Sequence, residues 1–333
     1  MSLAVANGVV YFTNSAGGKV SSVPVAGGTV TDIATAQKAP YAVAVDAAGV
    51  VYWSNTSDAT GADNTLMMKT AAGMPALITA VDQTTAATGK TNKVIRFALD
   101  GKGSIYYGAR DVLYKVAAAA ASTPMKIGTF DGSPTAIIVS PPAPAAATRI
   151  FATLGIDNAV QWRSPDPATS GCMDPVSRPL PVMGETPAQA MMRINGSGCA
   201  FSESIGGLLV DSMTLSGTVV VFADGPNIYT ADTTVPATMQ AMRSLITVTD
   251  DFDPISGFTS TATTVYFGES SQGIVEKAPL PTKYPATSAT PVILANDVAK
   301  QISPSSFVTD ATSVYWRTGS SATDACEIYK LPL

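Results

Sequence analysis

Seven copies of one short motif, strands that are apolar on both faces, and a repeat the length of one four-stranded sheet together predict an all-β fold: a seven-bladed β-propeller. The motif is an aliphatic residue, a bulky pair and then a polar turn. It occurs as VYFTN (Val10–Asn14), VYWSN (Val51–Asn55), IYYGA (Ile105–Ala109), RIFAT (Arg149–Thr153), VVFAD (Val220–Asp224), VYFGE (Val265–Glu269) and VYWRT (Val314–Thr318). Most intervals between copies lie near the roughly 40–50 residues of one blade. Tyr52 and Trp53 are adjacent, so in a strand they point to opposite faces, and both need burial. A two-sheet sandwich leaves one face of each strand wet, whereas a radial sheet is covered on both sides by its neighbours.

Each motif is the second strand, B, of a repeating unit. Ahead of it lies an apolar strand A with small side chains: Tyr41–Asp46, Ile95–Asp100, Thr135–Ser140 and Ser306–Asp310. Small residues suit the crowded strand nearest the axis. After it comes strand C, of the type hydrophobic-x-Lys/Arg: Leu66–Lys69, Leu113–Lys115, Val160–Arg163, Val275–Lys277 and Ile328–Lys330. Strand D follows at Ala76–Ala80, Met125–Phe130, Leu245–Val248 and Pro291–Ala295. Asp46, Asp100 and Asp310 end strand A in three units. A repeated Asp there predicts a turn role, its carboxylate accepting backbone N–H groups.

One propeller domain is expected over 1–333, with blades near 3–39, 41–80, 94–130, 135–184, 206–248, 255–296 and 305–333. The last unit has strands A to C but no strand D. The first already has its own strand A, so neither terminus donates the missing strand. A three-stranded last blade is expected, completed by residues upstream of Met1.

Composition narrows the function. Hydrophobic residues make up 46% and charged residues 14%, which excludes a disordered chain. The net charge of −5 and the lack of a Lys/Arg cluster argue against nucleic acid and anionic membrane surfaces. No apolar run approaches the roughly 18 residues of a transmembrane helix. Met1–Ser2–Leu3 carries no leader features. Histidine is absent, which removes Ser-His-Asp and Cys-His nucleophiles and His-ligated zinc. Cys172, Cys199 and Cys326 fit no zinc or redox spacing. They read either as a Cys172–Cys199 pair with one thiol left over, or as three free thiols. Asn55-Thr56-Ser57 and Asn195-Gly196-Ser197 match the glycosylation sequon.

These motifs resemble the YWTD-like and NHL-like propeller repeats, especially those of bacterial exported proteins. Val23–Gly28 (VPVAGG) and Tyr41–Asn55 carry the likeness best, and Ser164–Gly207 carries it least. The resemblance implies an interaction platform and an extracytoplasmic location, whether periplasmic, cell-surface or secreted.

In a propeller the B–C and D–A loops share one face. The enlarged loops Asp82–Lys93 and Gly184–Ile205 read as D–A connections and Asn55–Asn64 as a B–C loop, so binding is expected on that face. Its charged ligand-binding candidates are Arg110, Asp111, Asp157, Asp224, Glu269, Arg317, Asp324 and Glu327. The cluster Asp250, Asp251 and Asp253 is the candidate for a metal, with Ca²⁺ as the cation its oxygens suit. No other cofactor is expected, and no residue is assigned as catalytic. The leading expectation is a binding or scaffold module for protein, peptide or carbohydrate, with catalysis behind it. The alternative is a metal-dependent hydrolase or lactonase with a divalent ion on the axis, which needs no histidine. A structural module of a larger envelope protein is the third reading.

Overall fold

The computed structural model describes residues 2–56, 64–81, 96–109, 112–129, 134–140, 150–154, 159–163, 200–203, 213–217, 219–224, 226–232, 244–247, 255–269, 273–280, 289–296, 305–318 and 327–333. The described strands fall into antiparallel sheets in strict chain order. The first sheet is β1 (Leu3–Ala6), β2 (Val9–Asn14), β3 (Lys19–Pro24) and β4 (Thr31–Ala34). The second is β5 (Pro40–Val45), β6 (Val51–Asn55), β7 (Thr65–Lys69) and β8 (Ala76–Ala80). The third is β9 (Phe97–Leu99), β10 (Ser104–Ala109), β11 (Val112–Ala117) and β12 (Met125–Thr129). The fourth is β13 (Pro134–Val139), β14 (Ile150–Leu154), β15 (Ala159–Arg163) and β16 (Ala200–Glu203). The fifth is β17 (Met213–Ser216), β18 (Val219–Asp224), β19 (Asn227–Asp232) and β20 (Ser244–Thr247). The sixth is β21 (Ile255–Ser260), β22 (Thr264–Glu269), β23 (Ile274–Pro279) and β24 (Val292–Asn296). A last sheet holds β25 (Ser305–Thr309), β26 (Ser313–Thr318) and β27 (Glu327–Pro332).

The architecture is an all-β propeller, and the expected blade count of seven is corrected. Six sheets are four-stranded blades; the last sheet has three strands. A blade needs a strand D paired to its strand C, and among the described residues no strand pairs with the outer edge of β27. No helix among the described residues is long and apolar enough to cross a membrane.

The bulky pair explains why these sheets stand radially. In strand B, Tyr52 and Trp53 are 3% and 0% exposed, yet they enter different cores. Trp53 packs with Val20, Val43 and Tyr11, between the first and second sheets. Tyr52 packs with Ile105, Tyr107 and Val116, between the second and third. The rule recurs. Tyr107 faces back to the second sheet, while Tyr106 faces forward to Ile137 and Ile150 of the fourth. Phe267 packs with the fifth sheet and Tyr266 with the last. In the last sheet Trp316 faces back, and Tyr315 packs on Leu3 and Val10 of the first. That contact brings the two ends of the chain order together, and no face of these strands is left to water.

Strand D adds a second repeated device. Its ladder with strand C shifts register once, and the extra residue is apolar: Ile33, Ile78, Ile127, Phe201, Leu245 or Leu294. In the second, third and fifth sheets the bulge turns that side chain out of the pleat. Ile78, Ile127 and Leu245 are buried to 1–2%. They plug the wide outer gap between neighbouring blades.

The A–B turns carry out the role expected of the repeated Asp. Oδ1 of Asp46 accepts the N–H groups of Ala48 and Val50, both at 2.9 Å, and Oδ2 accepts the Tyr52 hydroxyl at 2.9 Å. Asp310 accepts N–H groups of Thr312 and Ser313 and the Tyr315 hydroxyl, at 2.7, 2.8 and 2.7 Å. Asp100 accepts Lys102 and Ser104 N–H groups at 2.7 and 2.9 Å. In the sixth sheet Thr261 takes the position, its Oγ1 accepting the Thr264 N–H at 3.2 Å. In the first, Asn7 and Gly8 lie at φ 52° and 74°, the backbone of a two-residue hairpin turn.

The fourth motif copy is displaced by one residue: Phe151 pairs with Trp162 and Leu154 closes the strand, so the copy is Ile150–Leu154 rather than Arg149–Thr153. Of the expected loop Gly184–Ile205, Ala200–Glu203 forms β16, strand D of the fourth sheet, and the rest lies outside the described residues.

Candidate functional site

Strand B delivers its last two residues to the B–C/D–A face of every sheet. The last residues are Asn14, Asn55, Ala109, Leu154, Asp224, Glu269 and Thr318. The penultimate residues are Thr13, Ser54, Gly108, Thr153, Ala223, Gly268 and Arg317. Six of these are small, and the packing shows why. The Thr13 Oγ1 accepts the Ser2 N–H at 2.9 Å and donates to the Tyr41 carbonyl of the next sheet at 2.9 Å. Ser54 Oγ accepts the Ala42 N–H at 3.1 Å. A Cβ on Gly108 would lie 2.7 Å from Pro134 Cγ, where the next strand A begins. The position is a crowded seam between strand B, its own strand A and the next one.

Arg317 breaks this pattern. It pairs with Ser305 and Ile328 in the ladder, and its Nε is buried with no hydrogen-bond partner among the described residues. Beside it the β25 ladder shifts register between Ser305 and Val308, and Ser306 adopts φ 53°. A non-glycine residue in the left-handed region is sterically costly, so strain is concentrated next to the one cation in the seam.

A second buried polar atom without a partner lies on the same face, at Asn55. Its Nδ2 donates to Gln37 Oε1 and Thr65 Oγ1, both at 3.1 Å, while Oδ1 is buried and has no partner among the described residues. Gln37 organises this corner. Its Oε1 also accepts the Trp53 Nε1–H at 2.9 Å, and its N–H donates to the Gly18 carbonyl at 2.8 Å. A Cβ on Gly18 would sit 2.8 Å from the Gln37 carbonyl, and φ of +60° there suits glycine. Ala36 and Ala39 flank Gln37 at φ 54° and 46°. The Asn55 sequon is therefore closed to modification in the folded chain, because its amide nitrogen is buried and spent.

The other sequence candidates fall as follows. Glu269 ends β22, is 5% exposed and is already engaged in a polar interaction. Glu327 starts strand C, third from the axis, and its Oε2 accepts the Tyr329 hydroxyl; it belongs to the outer sheet rather than the central mouth. Asp224 ends β18. Arg110, Asp111, Asp157 and Asp324 lie outside the described residues, as do Asp250, Asp251, Asp253 and the three cysteines. Among the described residues no group of three or more His, Cys, Asp or Glu is placed to hold a metal ion. The motif copies carry the signal that singles out Arg317, since six of the seven have a small residue at its position. The Asn55–Gln37 corner had no such signal, because it depends on a loop conformation.

The opposite face holds a cleft of about 460 Å³ between the A–B turns of the second and third sheets, lined by Tyr52, Leu99, Gly101, Gly103 and Ser104. Its carboxylate, Asp46, is committed to its own turn.

No protein-family model and no curated protein matches the chain. Solved structures do. A catalytically inactive histidine-to-alanine variant of virginiamycin B lyase from Staphylococcus aureus, with quinupristin, aligns over 100% of this chain and 94% of its own, with TM-score 0.66 and 10% identity. A chain of a nidogen/laminin complex aligns over 82% and 89%, with TM-score 0.52 and 12% identity. Saccharomyces cerevisiae Sqt1 aligns over 99% and 84%, with TM-score 0.60 and 8% identity. The likeness is one of fold.

Proposed function

We propose that this chain is a binding or scaffold module that takes a protein, peptide or carbohydrate ligand on its B–C/D–A face. The observation that carries the reading is Arg317, a cation in a seam of small residues with a buried, unpaired Nε. An unmade hydrogen bond at a buried N–H of a half-buried charged side chain costs free energy that a ligand recovers by completing it. A guanidinium best recognises a carboxylate or similar oxyanion, so the ligand carries an acidic group. Asn55 Oδ1 offers an acceptor on the same face. The fold likeness to a lyase adds no catalytic residue: that protein is inactivated by loss of a histidine, and this chain has none.

Peptide and glycan arrays containing acidic and neutral members test the reading. Acidic members are expected to bind, and Arg317→Ala to weaken binding by about 10-fold to 100-fold, the range of a charge-assisted hydrogen bond. Equal retention by Arg317→Ala, or turnover of a bound compound, would contradict it. An extracytoplasmic location is part of the proposal and is checked by fractionating cells that express the full protein.

A further inference from the structure

The cleft on the A–B turn face has walls of two kinds. It is about 460 Å³ in volume and runs between the turns of the second and third sheets, within the roughly 300–1,000 Å³ of a small-molecule site. One part of its lining is apolar: Val45, Leu99 and Ala118. Beside them Gly101 and Gly103, at φ +67° and +91°, leave open space, since a Cβ on either would meet nothing within 4 Å. The other part accepts hydrogen bonds, and Asp46 and Tyr52 belong to it. Oδ1 of Asp46 is filled by the Ala48 and Val50 N–H groups, whereas Oδ2 takes one described donor, the Tyr52 hydroxyl at 2.9 Å. A carboxylate oxygen has about two lone-pair sites, so Oδ2 keeps one. The Tyr52 oxygen, having given its proton to Oδ2, remains an acceptor. All three donors on Asp46 are neutral. The turn therefore fixes the carboxylate in place without cancelling its charge.

We propose that this cleft binds a small amine, with its primary ammonium on Asp46 Oδ2 and its apolar body against Val45, Leu99 and Ala118. An ammonium offers three donors and no acceptor, which complements a wall of acceptors around one negative charge. A charge-assisted bond of this kind is roughly twice as strong as a neutral one. A neutral hydroxyl fills the same lone pair without the charge, and an anionic ligand meets Asp46 as a like charge. Lys102, in the adjoining turn, is exposed and makes its described bond through its backbone N–H to Asp100. Among the described residues no cation pairs with Asp46. Because Asp46 is only half-buried, water screens the contact, and affinity in about the millimolar range is expected. The inference is independent of the loop-face site, which lies at the other end of the strands.

The test is an NMR titration of the full chain with cyclohexylammonium and, as its uncharged match, cyclohexanol. The expected result is saturable shifts of the Ala47, Ala48, Gly101 and Gly103 amides, reached with the ammonium at a concentration about tenfold or more below that needed for the alcohol. Asp46→Asn keeps an amide oxygen for the Ala48 and Val50 N–H groups and is expected to bring the two compounds level. Ala118→Leu leaves Asp46 in its turn, fills the cleft and is expected to abolish both responses. Arg317→Ala is expected to leave the titration unchanged, which separates this result from the fate of the loop-face reading. Four outcomes would overturn the proposal: equal response to ammonium and alcohol, an Asp46→Asn chain that still prefers the ammonium, undiminished binding by Ala118→Leu, or no saturable shift at the cleft amides.

Discussion

At the scale of single residues, the A–B turn aspartates stabilise the fold through charge. Burial would raise the Asp310 carboxyl, but the Thr312 N–H, the Tyr315 and Thr312 hydroxyls and the Ser313 N–H outweigh it, and the group is held below the ordinary carboxylate range. A depressed folded-state value means the contribution is present above about pH 4 and is lost as pH falls through the folded value. Asp310→Ala is expected to cost about 1–3 kcal/mol at neutral pH, the range for hydrogen bonds removed from a charged acceptor, and urea titration measures it. In acid the variant and the parent should converge. Tyr52 shows the opposite sign. Burial first, then the hydrogen bond to Asp46 and its charge, push its hydroxyl up to about 12; burial and the Asp100 charge do the same for Tyr106, also to about 12. Their contribution is complete below about pH 10 and lost as pH rises through 12. Phenolate absorbance during alkaline titration should show late-ionising tyrosines, Tyr52, Tyr106 and Tyr315 among them, and Asp46→Asn should bring one of them earlier. The turn role of these aspartates was legible because the same residue ends the same strand in three units. The orphaned Asn55 Oδ1 was not legible, because it depends on how Gln37 bridges Gly18, Trp53 and Asn55 across two sheets.

At the scale of an element, strand B is the organising unit. Its two central residues enter separate cores, so truncating one loosens one inter-sheet seam and spares the other. Trp53→Ala is expected to destabilise by about 3–5 kcal/mol, as for a buried aromatic whose cavity cannot collapse. Calorimetry measures the loss. Gly108→Val tests the crowded penultimate position. With Pro134 at 2.7 Å from a Cβ, backbone must move, and a cost of about 1–3 kcal/mol is expected. A neutral Gly108→Val would mean that the seam is looser than its geometry. The strand B motif was readable because adjacent bulky residues announce burial on both faces. Its fourth copy was misplaced by one residue because Arg149 and Thr153 bracket a stretch with a single aromatic, Phe151, and one aromatic cannot fix which neighbour shares its central position. Strand D of the fourth sheet, β16 (Ala200–Glu203), was not read within the expected loop Gly184–Ile205 because it is a four-residue strand far from its partner in sequence.

At the scale of the whole molecule, the sheets hold one another. Each inter-sheet core draws on two neighbours, and the one built on Leu3, Val10 and Tyr315 joins the last sheet to the first. The propeller architecture was legible from repetition, whereas the blade count was not. A motif copy reports a strand B, and a complete blade also needs a strand D, which the last unit lacks among the described residues. Arg317 lies in the last sheet and Asn55 in the second. A double-mutant cycle on Val10→Ala and Tyr315→Leu, read as unfolding free energies, tests the closure directly. If the last sheet packs on the first, the two substitutions couple by about 0.5 kcal/mol or more. Additivity within about 0.3 kcal/mol would mean that the two sheets do not touch, and the ring, with the sites placed around it, would have to be abandoned.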